Sequence, residues 1–249
     1  MTSIPRILSV LTLFGVWFGL SILLPETIVP GPVAVFATMW GNILSGAAAR
    51  HLSITLVRVV LGLALAMVLG TSVGLIMGLS RKGEVFFDSW VTVGMTVPAI
   101  VYGMICLLWF GLNDLAAVIA IGVTAFPSVG INMWQGAKSI DNDLLEMGKV
   151  FRLGRASIIR KIVLPQLLPF LLASLRFALG ICWKICTTVE LIGLSSGVGF
   201  MLHYWFGLFS MTQVFAWTLM FVIVMLFIEH AILKPLEKRL LVWRPTVQV

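Results

Sequence analysis

The chain has 249 residues, 60% of them hydrophobic and only 11% charged, with a mean hydropathy of +1.08. A soluble domain carries about a quarter charged residues, so a soluble fold is excluded. Apolar runs of about twenty residues suit helices that cross a hydrocarbon core, and the alternating pattern of a transmembrane barrel is absent. The net charge of +7 does not read as a nucleic-acid surface, because the basic residues sit at the ends of apolar runs.

Hydropathy predicts an all-α polytopic membrane protein, one transmembrane domain over 1–249, with six spans at about 7–24, 54–78, 89–110, 115–134, 166–190 and 213–233. The first run, Ile7 to Leu24, lacks a small-x-small cleavage site and ends in Leu-Leu-Pro-Glu, so it reads as a retained anchor rather than a removed signal. Prolines then break the chain in "PETIVPGPVAVFATMWGNI", after which a short interfacial helix is expected. In span two, Gly62, Ala66, Gly70, Gly74 and Gly78 recur every four residues, a stripe that lets another helix approach closely. The 191–212 segment, "LIGLSSGVGFMLHYWFGLFSMT", reads as an irregular connection with aromatics at interface depth.

An even number of spans puts both termini on one side. Arg6, Arg81, Lys82, Lys138, Lys149, Arg152, Arg155, Arg160, Lys161, Lys234, Lys238, Arg239 and Arg244 share that side, and outside the spans only Arg50 opposes them. Positive charge favours the cytoplasm, so the termini and the loop at about 138–165 are expected there. Cys106, Cys182 and Cys186 lie inside apolar segments and read as small core residues, not as a disulfide framework or metal site.

The loop has its own pattern. Asp141 or Asn142 can cap a helix, and Leu144, Met147, Gly148 and Phe151 follow the i, i+3, i+4, i+7 spacing of one buried face. Gly154 suits a left-handed cap, and a second short helix from Arg155 to Val163 is expected to end before Pro165. Two such basic amphipathic helices suit docking on another protein, or lying on anionic lipid.

Few charges fall within spans, and each is a candidate site because a basic residue at a helix centre costs about 2.5–3.5 kcal/mol to insert. At roughly 1.5 Å per residue, Arg176 lies on the order of 15 Å into span five and Lys184 on the order of 27 Å in. Lys184 reads as a snorkelling residue or as a cation on a transport path. Arg58 in span two allows the same two readings. Glu190, at the end of span five, is expected to pair with one of them or to help form an outer gate. His203, Tyr204 and Trp205 are candidates for that gate or for interface anchors.

Glu146, the small residue at 148 and Ile162-Val163-Leu164-Pro165, its proline nineteen positions after the glutamate, resemble the cytoplasmic signature of bacterial ABC importer permeases. "SLRFALG" (174–180), Glu190, "SSGVGFML" (195–202) and "LEKRLLVWRP" (236–245) are similar to the nitrate/sulfonate/taurine/bicarbonate subgroup. The resemblance implies a type I importer permease in the bacterial inner membrane. It implies that Leu144, Glu146, Met147, Gly148, Phe151, Gly154, Leu164 and Pro165 couple to two cytoplasmic ATPase subunits. A second copy of the permease and an extracytoplasmic solute-binding protein complete the implied system, carrying a small anion or, alternatively, a vitamin precursor such as a pyrimidine or flavin. The chain has no Gly-x4-Gly-Lys-Ser/Thr loop, so no cofactor is expected on it, and ATP and Mg belong on the partner ATPase. The family's glycine six residues after the glutamate is Arg152 here, which implies a turn shifted toward Gly154. An ion-coupled secondary transporter is the rival, and only Glu190 and Glu229, both at span ends, are acids suited to it. His51, His203 and His230 stand at unrelated positions with no catalytic motif, so no enzyme activity is expected of the chain.

Overall fold

The computed structural model describes residues 3–242, and every regular element among them is helical. Arg244 and the last residues of the 236–245 motif lie outside the described residues. So do the side chains of Arg6 and Ile7.

The elements are α1 (Ser3–Leu23), α2 (Pro32–Leu44), α3 (Ala47–Leu79), α4 (Arg81–Thr96), α5 (Ala99–Phe110), α6 (Asp114–Lys138), α7 (Asn142–Val150), α8 (Arg155–Ile158), α9 (Leu164–Gly193), α10 (Val198–Gly207), α11 (Met211–Phe227) and α12 (Lys234–Leu240). Pi-helical turns, Ile159–Val163 and Ile228–Leu233, join α8 to α9 and α11 to α12. Among the described residues, four continuous stretches are long and apolar enough to cross a membrane: Ala47–Leu79, Asp114–Lys138, Arg155–Gly193 and Met211–Leu240. The described apolar part of α1, Leu8–Leu23, is shorter.

Three expectations change. The span at 89–110 is not one straight helix: α4 and α5 meet at 97°. Pro98 disfavours helical geometry in the residue before it, and Val97 is extended (φ −69°, ψ 127°). The Tyr102 hydroxyl donates to the Gly94 carbonyl at 3.2 Å across this bend. The 191–212 segment is not wholly irregular, since ten of its residues form α10. The helix starting at Arg155 does not stop before Pro165. It runs on to Gly193, because a wide π turn removes the clash between a proline ring and the carbonyl one turn back. The same device precedes Pro235.

The chain forms two compact units. The first comprises Met1–Thr55 and Glu190–Leu226. Its core holds Ala48, Val198, Trp217 and Met220. Trp17 stacks near Phe36 and Phe215 and donates its indole N–H to the Pro30 carbonyl at 3.1 Å. Asn42 donates to Gln213 at 2.8 Å.

The second unit comprises Leu56–Val189 and Phe227–Val249, and α6 is its centre. The small-residue stripe of α3 lies against α6, as the spacing predicts. A Cβ on Gly62 would meet Ile121, one on Gly70 would meet Val129, one on Gly74 the Gly130 carbonyl, and one on Gly78 Ala137. Backbones this close exchange side-chain volume for main-chain contact, the usual basis of helix association in lipid. Glu84 joins α4 to α6 through Lys138 at 2.6 Å. Cys106, Cys182 and Cys186 are buried.

Candidate functional site

The loop between α6 and α9 is built from its caps. The Asp141 side chain accepts N–H bonds from Asp143 (2.8 Å) and Leu144 (3.4 Å), which settles the N-cap on Asp141. Its own N–H donates to Gln166 at 2.8 Å and ties α7 to the start of α9. At the other end, the Leu153 N–H reaches the Gly148 carbonyl and the Arg152 N–H the Lys149 carbonyl, both at 2.9 Å. That pair of bonds is a Schellman stop, whose left-handed residue is normally glycine. Here it is Arg152, with φ 52°. The expectation of a turn shifted to Gly154 is therefore corrected. Gly154 has φ −63° and ψ 153°, ordinary extended backbone leading into α8, because the hydrogen bonds close on Arg152 first.

The buried face of α7 also differs from expectation. Gly148 is buried, and a Cβ there would sit 3.0 Å from Ile162 and 3.4 Å from Ile158, so a small residue is required. Leu144, Met147 and Phe151 are exposed, Phe151 at 71%, and Val150 joins them. The spacing identified an apolar face correctly, but within this chain only Gly148 is covered. Glu146, Gly154 and Leu164 are exposed and Pro165 is half-buried.

In the second unit, Arg58 is 3% exposed. Its guanidinium donates Nε and Nη2 to one Asp114 oxygen at 2.8 and 2.6 Å. Arg176 pairs with Glu229 at 2.5 Å and stands 3.8 Å from Glu237. These three residues and Lys184 line one open cavity of about 610 Å³, together with Phe177, Gly180 and Ile181. Arg176, Gly180 and Lys184 recur every four residues, so one face of α9 carries both cations.

In the first unit, Glu190 is 1% exposed. Its carboxylate accepts from the Thr55 hydroxyl at 2.8 Å and from the Gly199 N–H at 2.9 Å. The Val198 N–H donates to the Thr55 hydroxyl (2.9 Å) and the Gly197 N–H to His51 Nδ1 (3.1 Å). The start of α10 is thereby held by a buried carboxylate, which suits the partial positive charge of a helix N-terminus. Gly197, with φ 106°, lies so close to the carboxylate that any Cβ would overlap it. His203 and Tyr204 are exposed on α10, and Tyr204 packs against Phe200 and Trp205.

Residues 66–242 match the model of the family described as "Binding-protein-dependent transport system inner membrane component". The chain belongs to this family. Among curated relatives of this permease, it is 34% identical to a putative aliphatic sulfonates transport permease protein of Bacillus subtilis, covering 88% of this chain and 79% of that one. It is 29% identical to the taurine transport system permease protein of Escherichia coli, over 85% of this chain and 74% of the relative. The nitrate import permease protein of Synechococcus elongatus shares 27%, over 80% and 75%. Among solved structures, an inward-facing MetNI methionine ABC transporter superposes with a TM-score of 0.65 at 19% identity, covering 75% of this chain and 93% of that chain. Its fold is that of a type I ABC importer permease. The chain is a multi-pass permease component of such an importer, as its resemblance implied.

Within this permease, sequence reasoning missed Asp114, Glu237, Thr55 and His51. Asp114 begins α6 and lies 56 positions from Arg58, a separation that periodicity cannot bridge. The one readable signal was "SSGVG", where a glycine at the start of a helix marked the close approach that Glu190 exploits.

Proposed function

We propose that this permease forms a homodimer served by two cytoplasmic ATPase subunits and an extracytoplasmic solute-binding protein, and that it passes a small anionic solute. ATP and Mg belong to the ATPase chains. The observation carrying this reading is the exposed apolar row on α7. Leu144, Met147, Val150 and Phe151 stand uncovered within a segment that also bears Asp143, Glu146, Lys149 and Arg152. A helix that polar does not cross hydrocarbon, and its uncovered apolar row suits a protein groove of helix-in-groove type. The side with the greater share of basic residues is cytoplasmic, which puts α7 and both termini there. Relatives named for sulfonates and nitrate support an anionic solute, and so does Lys184, whose ammonium pairs with no described residue.

Native mass spectrometry of a tagged chain purified in gentle detergent tests the assembly. Two copies with two ATPase chains are expected. Recovery of the chain alone, with an ATP analogue present, would overturn the reading and return α7 to a lipid surface.

A further inference from the structure

Lys184 lines a second cavity in the same unit. This groove, about 360 Å³, follows the bend between α4 and α5 from Gly94 to Ala99 and continues along Thr124, Ser128, Ile181 and Ile185. Its neighbour, the 610 Å³ cavity, holds two cations, Arg176 and Lys184, and two acids, Glu229 and Glu237, and both acids stand within 4 Å of Arg176. The groove on the other side of Lys184 is lined by no acid. The Thr124 hydroxyl spends its proton on the Ala120 carbonyl at 2.6 Å and the Thr96 hydroxyl spends its own on Thr92 at 2.8 Å. The Ser128 hydroxyl forms no hydrogen bond with any described residue. The groove thus presents one cation without an ion-pair contact among the described residues and one open hydroxyl donor above apolar walls.

We propose that Lys184 and Ser128 form an oxyanion subsite, which takes the charged head of a monovalent anion such as a sulfonate, nitrate or carboxylate. The subsite rests on the transport reading and adds to it where the solute's charge is held. An ammonium within a membrane-spanning helix is costly unless it faces water or an anion, and hydrogen bonds to charged groups are the stronger kind. A head group bound between an ammonium and a hydroxyl, with its tail along Ile181 and Ile185, satisfies both. The neighbouring cavity, with two acids among its lining residues, gives the anion nowhere tighter to stop, as passage requires.

The test uses membranes from cells producing the whole transporter. Thr124→Cys, on the same groove with Ser128 kept, is made in a chain whose Cys106, Cys182 and Cys186 are alanines. The thiol is labelled with 2-sulfonatoethyl methanethiosulfonate, an anion, and with its trimethylammonioethyl counterpart, a cation, each rate normalised to a free thiol in solution. The anionic reagent is expected to be favoured about tenfold, the focusing typical of a charged cleft. That preference is retained with Lys184→Arg and lost with Lys184→Gln, and ethanesulfonate slows labelling only while position 184 is cationic. Equal normalised rates, or a preference that persists in Lys184→Gln, would overturn the subsite. If Thr124→Cys does not accumulate, Thr96→Cys on the same groove carries the measurement. ATPase recovery from the same membranes separates the two readings. Anion preference without ATPase sinks the transporter assembly and keeps the subsite, and ATPase without preference does the reverse.

Discussion

Arg152 holds a backbone conformation that costs an L-residue about 1–2 kcal/mol, at φ 52°, in the place where related signatures carry glycine. Replacing Arg152 with Gly is therefore expected to raise the thermal midpoint of the purified transporter, by the equivalent of about 1 kcal/mol. Gly154→Ala should be neutral, since Gly154 has ordinary φ and open space around it. A lowered midpoint for Arg152→Gly would show that the guanidinium itself supports the turn. Gly197 is the opposite case: it needs both its positive φ and its missing side chain, because Glu190 fills the space a Cβ would take. Gly197→Ala should cost on the order of 2–4 kcal/mol and reduce the yield of folded protein, whereas Gly15→Ala, with nothing nearby, should not. Equal yields of the two would mean that Glu190 does not hold α10.

Among the helices, α3 and α6 depend on glycine in a way their sequences announce, while α7 leaves its apolar row uncovered. Gly74 faces the Gly130 carbonyl, which cannot move aside as a flexible side chain would. Gly74→Ala should destabilise by about 1–3 kcal/mol, read as a fall in thermal midpoint, while Gly180→Ala, beside an open cavity, leaves it unchanged. A harmless Gly74→Ala would mean that the two helices are not tightly apposed. At the C-cap of α7, Phe151 contributes little to this chain's own packing at 71% exposure. Phe151→Ser should keep stability within about 0.5 kcal/mol and still lower recovery of ATPase chains from a tagged purification. Unaltered recovery would remove Phe151 from the coupling surface. The π turns before Pro165 and Pro235 show why a proline rule failed here: the rule assumes a constant helical repeat, and one wide turn suspends it.

At the scale of the whole molecule, transport asks for charges that survive in a membrane, and the two kinds found here behave differently. Arg58 and Arg176 have carboxylate partners, while Lys184 lies open to two cavities. Uptake of the solute by reconstituted transporter should therefore fall on Lys184→Ala with the ATPase complex intact, and unchanged uptake would take Lys184 off the path. Composition alone determined that the chain is an all-helical membrane protein, because length and hydropathy of a span depend only on local residues. The stripe of α3 and the apolar row of α7 were legible for the same reason, since each repeats within one helix. Only the tertiary structure decided which element fills each face: that Gly148 alone is covered, that Pro98 bends a span, that Arg152 takes the left-handed turn, and that Asp114 meets Arg58. Each of those outcomes depends on contacts between residues far apart in the chain, or on a competition between nearby backbone geometries, and neither leaves a periodic trace.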